Sequence, residues 1–204
     1  RLRIGVSTAS NVFGMPMDGP CVDAVRVTGL LLQDLGHVVE EVPLPYDEWE
    51  VLQTFLILLA ANTAAVMTDL EGRYGKSRVR ASLEDVSLLL AKVGRAMPAE
   101  FVGTSRINAR RIGAKLADFH DDYDVLVTPT LGRVPIPIEQ GELTTSEKRL
   151  LRFALSPAAA GLLHVRRFLE RVMETQTESV VRQVLWRTPI ANVAGVPAMS
   201  VPLH

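Results

Sequence analysis

The first quarter of the sequence follows a strand–helix–strand order that constrains the fold more than any other feature of the chain. Residues 3–8 and 37–44 form short β-rich runs. Between them, apolar residues recur at helical spacing over residues 21–35, and Gly36 can end the helix in the left-handed conformation. Two strands joined by one helix pair in parallel through a right-handed crossover. The order therefore predicts an α/β fold with a mixed, mostly parallel sheet flanked by helices.

The rest of the sequence adds long helices and one further strand. Asp47 and Glu50 form a capping box before a long apolar helix, and residues 72–80 are predicted as a basic loop. Residues 123–130 (YDVLVTPT) give the clearest strand signal, which Pro129 ends because it has no N–H to donate. Two more helices are predicted, over residues 146–155 and 162–186.

Charge and composition exclude several classes of function. The 204 residues carry 22 basic and 23 acidic side chains, a balance that excludes a strongly basic nucleic-acid binder. Aromatic residues make up 5%, too few for a stacking platform for single-stranded nucleic acid. The longest apolar run, 55–67, is too short to span a membrane and contains Asn62 and Thr63. We expect no nucleic-acid partner, no membrane partner and a cytoplasmic location.

No activated nucleophile or metal site is recognisable in the sequence. The candidates lack the Gly-flanked elbow that presents a catalytic serine; they are Ser7, Ser10, Cys21, Ser156 and Ser200. Residues 118–124 (DFHDDYD) place His120 among four aspartates, a pattern that allows metal ligation but favours an acidic turn facing water. We therefore expect no metal and no cofactor.

Residues 188–203 (TPIANVAGVPAMSVPL), near the end of the chain, form the segment that most strongly suggests ligand binding. Asn192 and Gly195 predict a tight turn that leads into a strand over 198–204. Such a turn at the end of a sheet strand often contacts ligands in α/β proteins. A plain junction between loop and strand remains an equal alternative.

Four segments in this order resemble the C-terminal half of amidase signature enzymes: LRIGVS, LLQDLGHVVEEVPLP, YDVLVTPT and TPIANVAGVPAMSVPL. The resemblance implies hydrolysis of a carboxamide by a Ser–cis-Ser–Lys triad within a Gly/Ser-rich signature. This chain contains no such stretch, so the triad is expected upstream of Arg1 and no catalytic residue is assigned here.

The resemblance also implies where a substrate would lie. In the family, the loop after the PT strand and the turn before the final strand lie beside the acyl pocket. On this basis Thr130 and Thr188 are predicted to line a substrate pocket, with Pro129 and Asn192 shaping its walls. The implied partner is a small-molecule amide.

Both ends of the chain read as strands, so residues 1–204 are expected to be a single α/β region and a C-terminal fragment of a longer amidase-like domain. Such a fragment would have no amidase activity alone and would associate with itself through an exposed sheet edge. The rival interpretation is a non-catalytic ligand-binding or interaction domain on a related scaffold. A third interpretation, one lobe of a solute-binding protein, would need a second lobe that this sequence does not show.

Overall fold

The computed structural model describes residues 1–8, 17–132, 134 and 188–202. Their helices and strands, in chain order, are β1 (Arg3–Val6), α1 (Gly19–Asp34), β2 (Val38–Glu41), α2 (Glu48–Tyr74), α3 (Lys76–Ser82), α4 (Asp85–Ala96), α5 (Ala99–Asp122), β3 (Val125–Val127) and α6 (Pro189–Ala194). The predicted helices over 146–155 and 162–186 lie outside the described residues.

The chain divides into two compact units. The first comprises Arg1–Phe55, Ile107–Pro135 and Glu178–His204, and the second comprises Leu56–Arg106 and Ile136–Thr177. Helices α2 and α5 each continue across a boundary between these ranges. That residues 1–204 act as a single α/β region stays a prediction.

The first unit contains a parallel sheet of order β2-β1-β3, which confirms the predicted α/β class and the crossover. Ile4 is in register with Val39 on one side and with Val125 on the other. The predicted left-handed stop is also present, since Gly36 has φ 87° directly after α1. The sheet therefore positions the segments of the first unit that follow its strands.

Helices cover both faces of this sheet. On one face Ile4, Val6 and Val25 form a buried cluster with α1, joined by Leu32 and Val127. The opposite face packs against α2, α5 and α6. The second cluster formed there includes Tyr46, Val51, Ile112, Leu126, Ile190 and Val193. Alternate residues of β3 therefore reach opposite cores, as a strand buried on both faces requires.

Helices α2, α3 and α4 build the described core of the second unit. Met67, Val79 and Ala91 pack together, and Ala60 packs against Val93. By length and composition α2 is long and apolar enough to cross a membrane, a property shared by core helices of soluble proteins, and 33% of its most apolar stretch is buried. The absence of a membrane partner stays a prediction.

Two sequence predictions fail here. Residues 72–80 are not a loop, because α2 continues to Tyr74 and α3 begins at Lys76; Gly75, with φ 84°, bends the chain within one residue. The burial of Val79 against α2 and α4 stabilises helix α3.

The second failed prediction concerns the end of the chain. Residues 196–202 do not form a strand, and the turn expected before them is the short helix α6. Pro189 favours the start of that helix, and Gly195, with φ 71°, ends it.

Candidate functional site

The carboxyl ends of β1 and β3 meet at one edge of the sheet. The Ser7 N–H donates to the Val127 carbonyl at 3.0 Å, which continues the pairing one residue beyond β1. Residues 128–132 leave the sheet from this edge, as does Thr8. In open α/β sheets, loops at the carboxyl ends of the strands are the usual place for ligands. This edge is therefore the first place to look for a site.

The structure brings one predicted site residue, Thr130, against a residue that the sequence did not assign to the site. Thr130 Oγ1 lies 3.1 Å from Ser200 Oγ, and either hydroxyl can donate the hydrogen bond. Both residues are exposed. Ser200 belongs to the segment that follows α6 and is neither helix nor strand, so this contact joins the segment after β3 to the segment after α6.

The other three predicted site residues occupy different environments. Pro129, the residue before Thr130, is buried. Thr188 is the N-cap residue of α6 and is exposed, with no hydrogen bond from its side chain to the helix. Asn192 is exposed on α6, whereas Ile190 and Val193 turn toward the core. None of the hydrogen bonds among the described residues links Thr188 or Asn192 to Thr130; their assignment to a pocket stays a prediction.

Asp18 is the polar residue that the sequence analysis missed at this edge. Its N–H donates to the Gly132 carbonyl at 2.9 Å, and its Oδ2 accepts from the Val134 N–H at 3.1 Å. The position could be identified as a helix N-cap, since Asp18 precedes Gly19-Pro20 and α1. Nothing in the local pattern signals a contact with residues more than 110 positions away.

The site is polar but lacks the groups that activate a nucleophile. Among the hydrogen bonds of the described residues, none joins the Thr130 or Ser200 hydroxyl to a lysine or histidine. Cys21 is the third residue of α1, and burial together with the negative charge of Asp18 raises the pKa of its thiol. This disfavours the thiolate that a cysteine nucleophile needs. The described groups can bind an amide by hydrogen bonds and do not supply a base to cleave it.

The acidic segment 118–124 makes hydrogen bonds to β1 and β2. The Tyr123 hydroxyl donates to Glu40 Oε2 at 2.7 Å, and this hydrogen bond raises the pKa of Tyr123. Asp124 Oδ2 accepts from the Arg3 N–H at 2.7 Å. Among the described residues, no group of three or more His, Cys, Asp or Glu side chains is arranged to hold a metal ion.

Two grooves lie apart from the predicted residues. One of about 340 Å³ in the first unit runs between α1 and the sheet; its lining includes Thr8, Arg26, Leu30 and Glu41. The other, about 250 Å³, lies between α2 and α3 in the second unit. Neither includes Thr130, so the site rests on the contacts at the sheet edge rather than on these cavities.

Comparisons with known proteins agree with the fold and with the resemblance in sequence. A family model described as Amidase matches residues 1–164. A solved structure, described as that of a bacterial aryl acylamidase belonging to the amidase signature enzymes, superposes with a TM-score of 0.54 and 16% sequence identity. The match covers 97% of this chain and 46% of that chain, so this chain spans about half the length of the solved protein. No curated protein matches the chain.

Proposed function

Because the chain belongs to the amidase family, we propose that it forms the substrate-binding portion of an enzyme that hydrolyses a small carboxamide. The observation that carries the proposal is the contact between the Thr130 and Ser200 hydroxyls at the carboxyl edge of the sheet. A hydroxyl can donate to an amide carbonyl or accept from an amide N–H. Two neutral hydroxyls on different segments can thus orient a carboxamide without ionising.

The bond-breaking groups are proposed to lie outside residues 1–204. In the mechanism that the family resemblance implies, a serine attacks the carbonyl, a lysine moves protons through a second serine, and backbone N–H groups hold the oxyanion. The match to only 46% of the solved amidase signature protein leaves room for such a region. This chain then contributes binding and orientation, which together can supply a large part of the rate enhancement.

Steady-state kinetics of the protein expressed from its complete reading frame test the proposed role of Thr130. An aryl amide is the first substrate to try, since the solved relative is described as an aryl acylamidase. Thr130→Val removes one hydroxyl and should raise KM about 3- to 10-fold, because one lost hydrogen bond costs roughly 0.5–1.5 kcal/mol. The kcat should change less, since the hydroxyl contributes to binding.

Two variants serve as controls. Thr130→Ser keeps the hydroxyl and should retain a KM near that of the unmodified protein. Thr63→Val removes a hydroxyl of the second unit that donates to the Leu59 carbonyl within α2, and it should leave KM unchanged. An equal KM for Thr130→Val and the unmodified protein would contradict the proposed role. Amide binding without any turnover by the complete protein would favour a non-catalytic ligand-binding domain instead.

A further inference from the structure

The Asp18 side chain does not make the hydrogen bond that its position at the start of α1 predicts, and it bonds to a distant segment instead. It is the N-cap residue of α1, with extended φ −63° and ψ 139°, and an aspartate there ordinarily accepts a hydrogen bond from an N–H of the first helical turn. The Asp18 side chain makes no such bond. Its Oδ2 accepts from the Val134 N–H at 3.1 Å, across 116 positions of sequence. The carboxylate therefore ties the helix to the segment that follows β3.

A second hydrogen bond, in the opposite direction, completes the tie. The Asp18 N–H donates to the Gly132 carbonyl at 2.9 Å. The Asp18 carbonyl in turn accepts from the N–H groups of Cys21 and Val22, at 3.0 and 3.2 Å, which fixes the Asp18 backbone to the first turn of α1. Gly132 and Val134 are thus held from one residue whose own backbone is set by a helix.

The two bonds differ in what they demand of the sequence. Any residue with a backbone N–H can bond to Gly132, whereas the bond from Val134 needs a side-chain oxygen of the right length at position 18. Hydrogen bonds to a carboxylate are also stronger than those between neutral groups. The segment held in this way carries Thr130, two residues before Gly132, and Thr130 makes the contact with Ser200.

We propose that Asp18 is a positioning residue that holds the segment after β3 so that Thr130 and Ser200 face the amide substrate. The inference rests on the proposed function for its link to catalysis, and on the hydrogen bonds of Asp18 for its mechanism. Asp18 does not itself touch the reacting groups. Its effect on the substrate passes through the hydrogen bonds to Gly132 and Val134 to Thr130.

Three variants separate this role from a general effect on stability. Asp18→Ala removes the side-chain acceptor, whereas Asp18→Asn keeps an oxygen that can accept from the Val134 N–H and is an equally good N-cap residue. Asp23→Ala is the matched control, because Asp23 lies on α1 and is exposed, and its ion pair within the described part of the chain is with Arg26 of the same helix, at 3.7 Å. Thermal unfolding verifies that each variant folds.

Amide hydrogen exchange at Val134, in the protein from the complete reading frame, is the primary measurement. Exchange should be about 10- to 100-fold faster in Asp18→Ala, as expected for the loss of a hydrogen bond to a charged acceptor. It should stay near the unmodified rate in Asp23→Ala, and in Asp18→Asn it should lie between the unmodified rate and that of Asp18→Ala, because the neutral amide oxygen accepts a weaker hydrogen bond. Equal exchange in Asp18→Ala and the unmodified protein, or equally fast exchange in Asp18→Asn and Asp18→Ala, would overturn the inference.

Kinetics with the aryl amide supply the second readout. Asp18→Ala should raise KM several-fold with a smaller change in kcat, and Asp18→Asn should restore it. Faster exchange at Val134 with an unchanged KM would overturn the positioning role. If the unmodified protein turns over no amide while Val134 exchanges as expected, the proposed function fails and the tie between Asp18 and this segment is upheld.

Discussion

At the scale of single residues, the pair Thr130 and Ser200 is neutral, and this determines what it can do. The two hydroxyls are 3.1 Å apart and exposed, so each can exchange its partner for a ligand group at little cost. A serine without an adjacent base is a weak nucleophile. The pair is suited to binding an amide rather than to cleaving it.

Cys21 offers a direct test of the electrostatics around Asp18. Burial is the larger cause of its raised thiol pKa, and the charge of Asp18 is the second. In Asp18→Asn the negative charge is gone, so we expect the thiolate to form at lower pH. The pH midpoint of iodoacetamide alkylation should then fall, while staying above that of an exposed cysteine because the burial remains.

The control for this titration is Asp23→Asn, which removes a charge from the same helix at a residue that does not contribute to the shift. Its alkylation midpoint should equal that of the unmodified protein. A midpoint in Asp18→Asn that is unchanged or higher would show that the Asp18 charge does not act on the thiol.

At the scale of helices and strands, the start of α2 shows how far local sequence reaches. Half of the predicted capping box is present, since Asp47 Oδ1 accepts from the Glu50 N–H at 2.7 Å. The Glu50 side chain, however, pairs with Arg111 and with Lys115, the latter at 3.6 Å. A capping pattern could be predicted because it spans four residues. The ion pairs to α5 could not, because they depend on tertiary packing.

Helix α4 approaches α2 so closely that only glycine fits at the contact. A Cβ added at Gly94 would lie 2.0 Å from the Ala60 carbonyl oxygen and 2.9 Å from the Ala64 Cβ. We expect Gly94→Ala to lower the free energy of unfolding by about 1–3 kcal/mol, because the helices must separate. Urea unfolding measures the change.

Gly103 is the matched control for this substitution. It lies within α5, and a Cβ there would meet nothing within 4 Å. Gly103→Ala should therefore raise the free energy of unfolding by roughly 0.5–1 kcal/mol, the usual helix preference for alanine over glycine. If both substitutions stabilise the protein equally, α2 and α4 are not in this close contact.

At the scale of the whole molecule, the crossover at the start of the chain could be predicted because two signals agree there. The spacing of apolar residues indicates strand, helix and strand, and Gly36 marks the end of the helix. The prediction of a loop over residues 72–80 was wrong, since their glycines and basic side chains fit a loop as well as a short exposed helix. The site was only partly accessible to prediction. Thr130 came from the family resemblance, whereas its contact with Ser200 and the hydrogen bonds of Asp18 join segments 70 and 116 residues apart.

Self-association and a cytoplasmic location stay predictions for the intact protein. β2 and β3 are the edges of the sheet that the described residues form. Helix α1 also exposes Val27, Leu30 and Leu31, and Leu35 is exposed directly after it. Sedimentation velocity of the complete protein measures whether copies associate.

The most direct test of the central claim is to label the complete protein with a serine-directed fluorophosphonate and to map the adduct by peptide mass spectrometry. We predict that the adduct lies on a serine N-terminal to Arg1, that labelling abolishes aryl amide hydrolysis, and that residues 1–204 expressed alone neither label nor hydrolyse the amide. An adduct on Ser7, Ser200 or another serine of this chain, together with loss of activity, would contradict the claim that the chain binds the substrate while other residues break the bond.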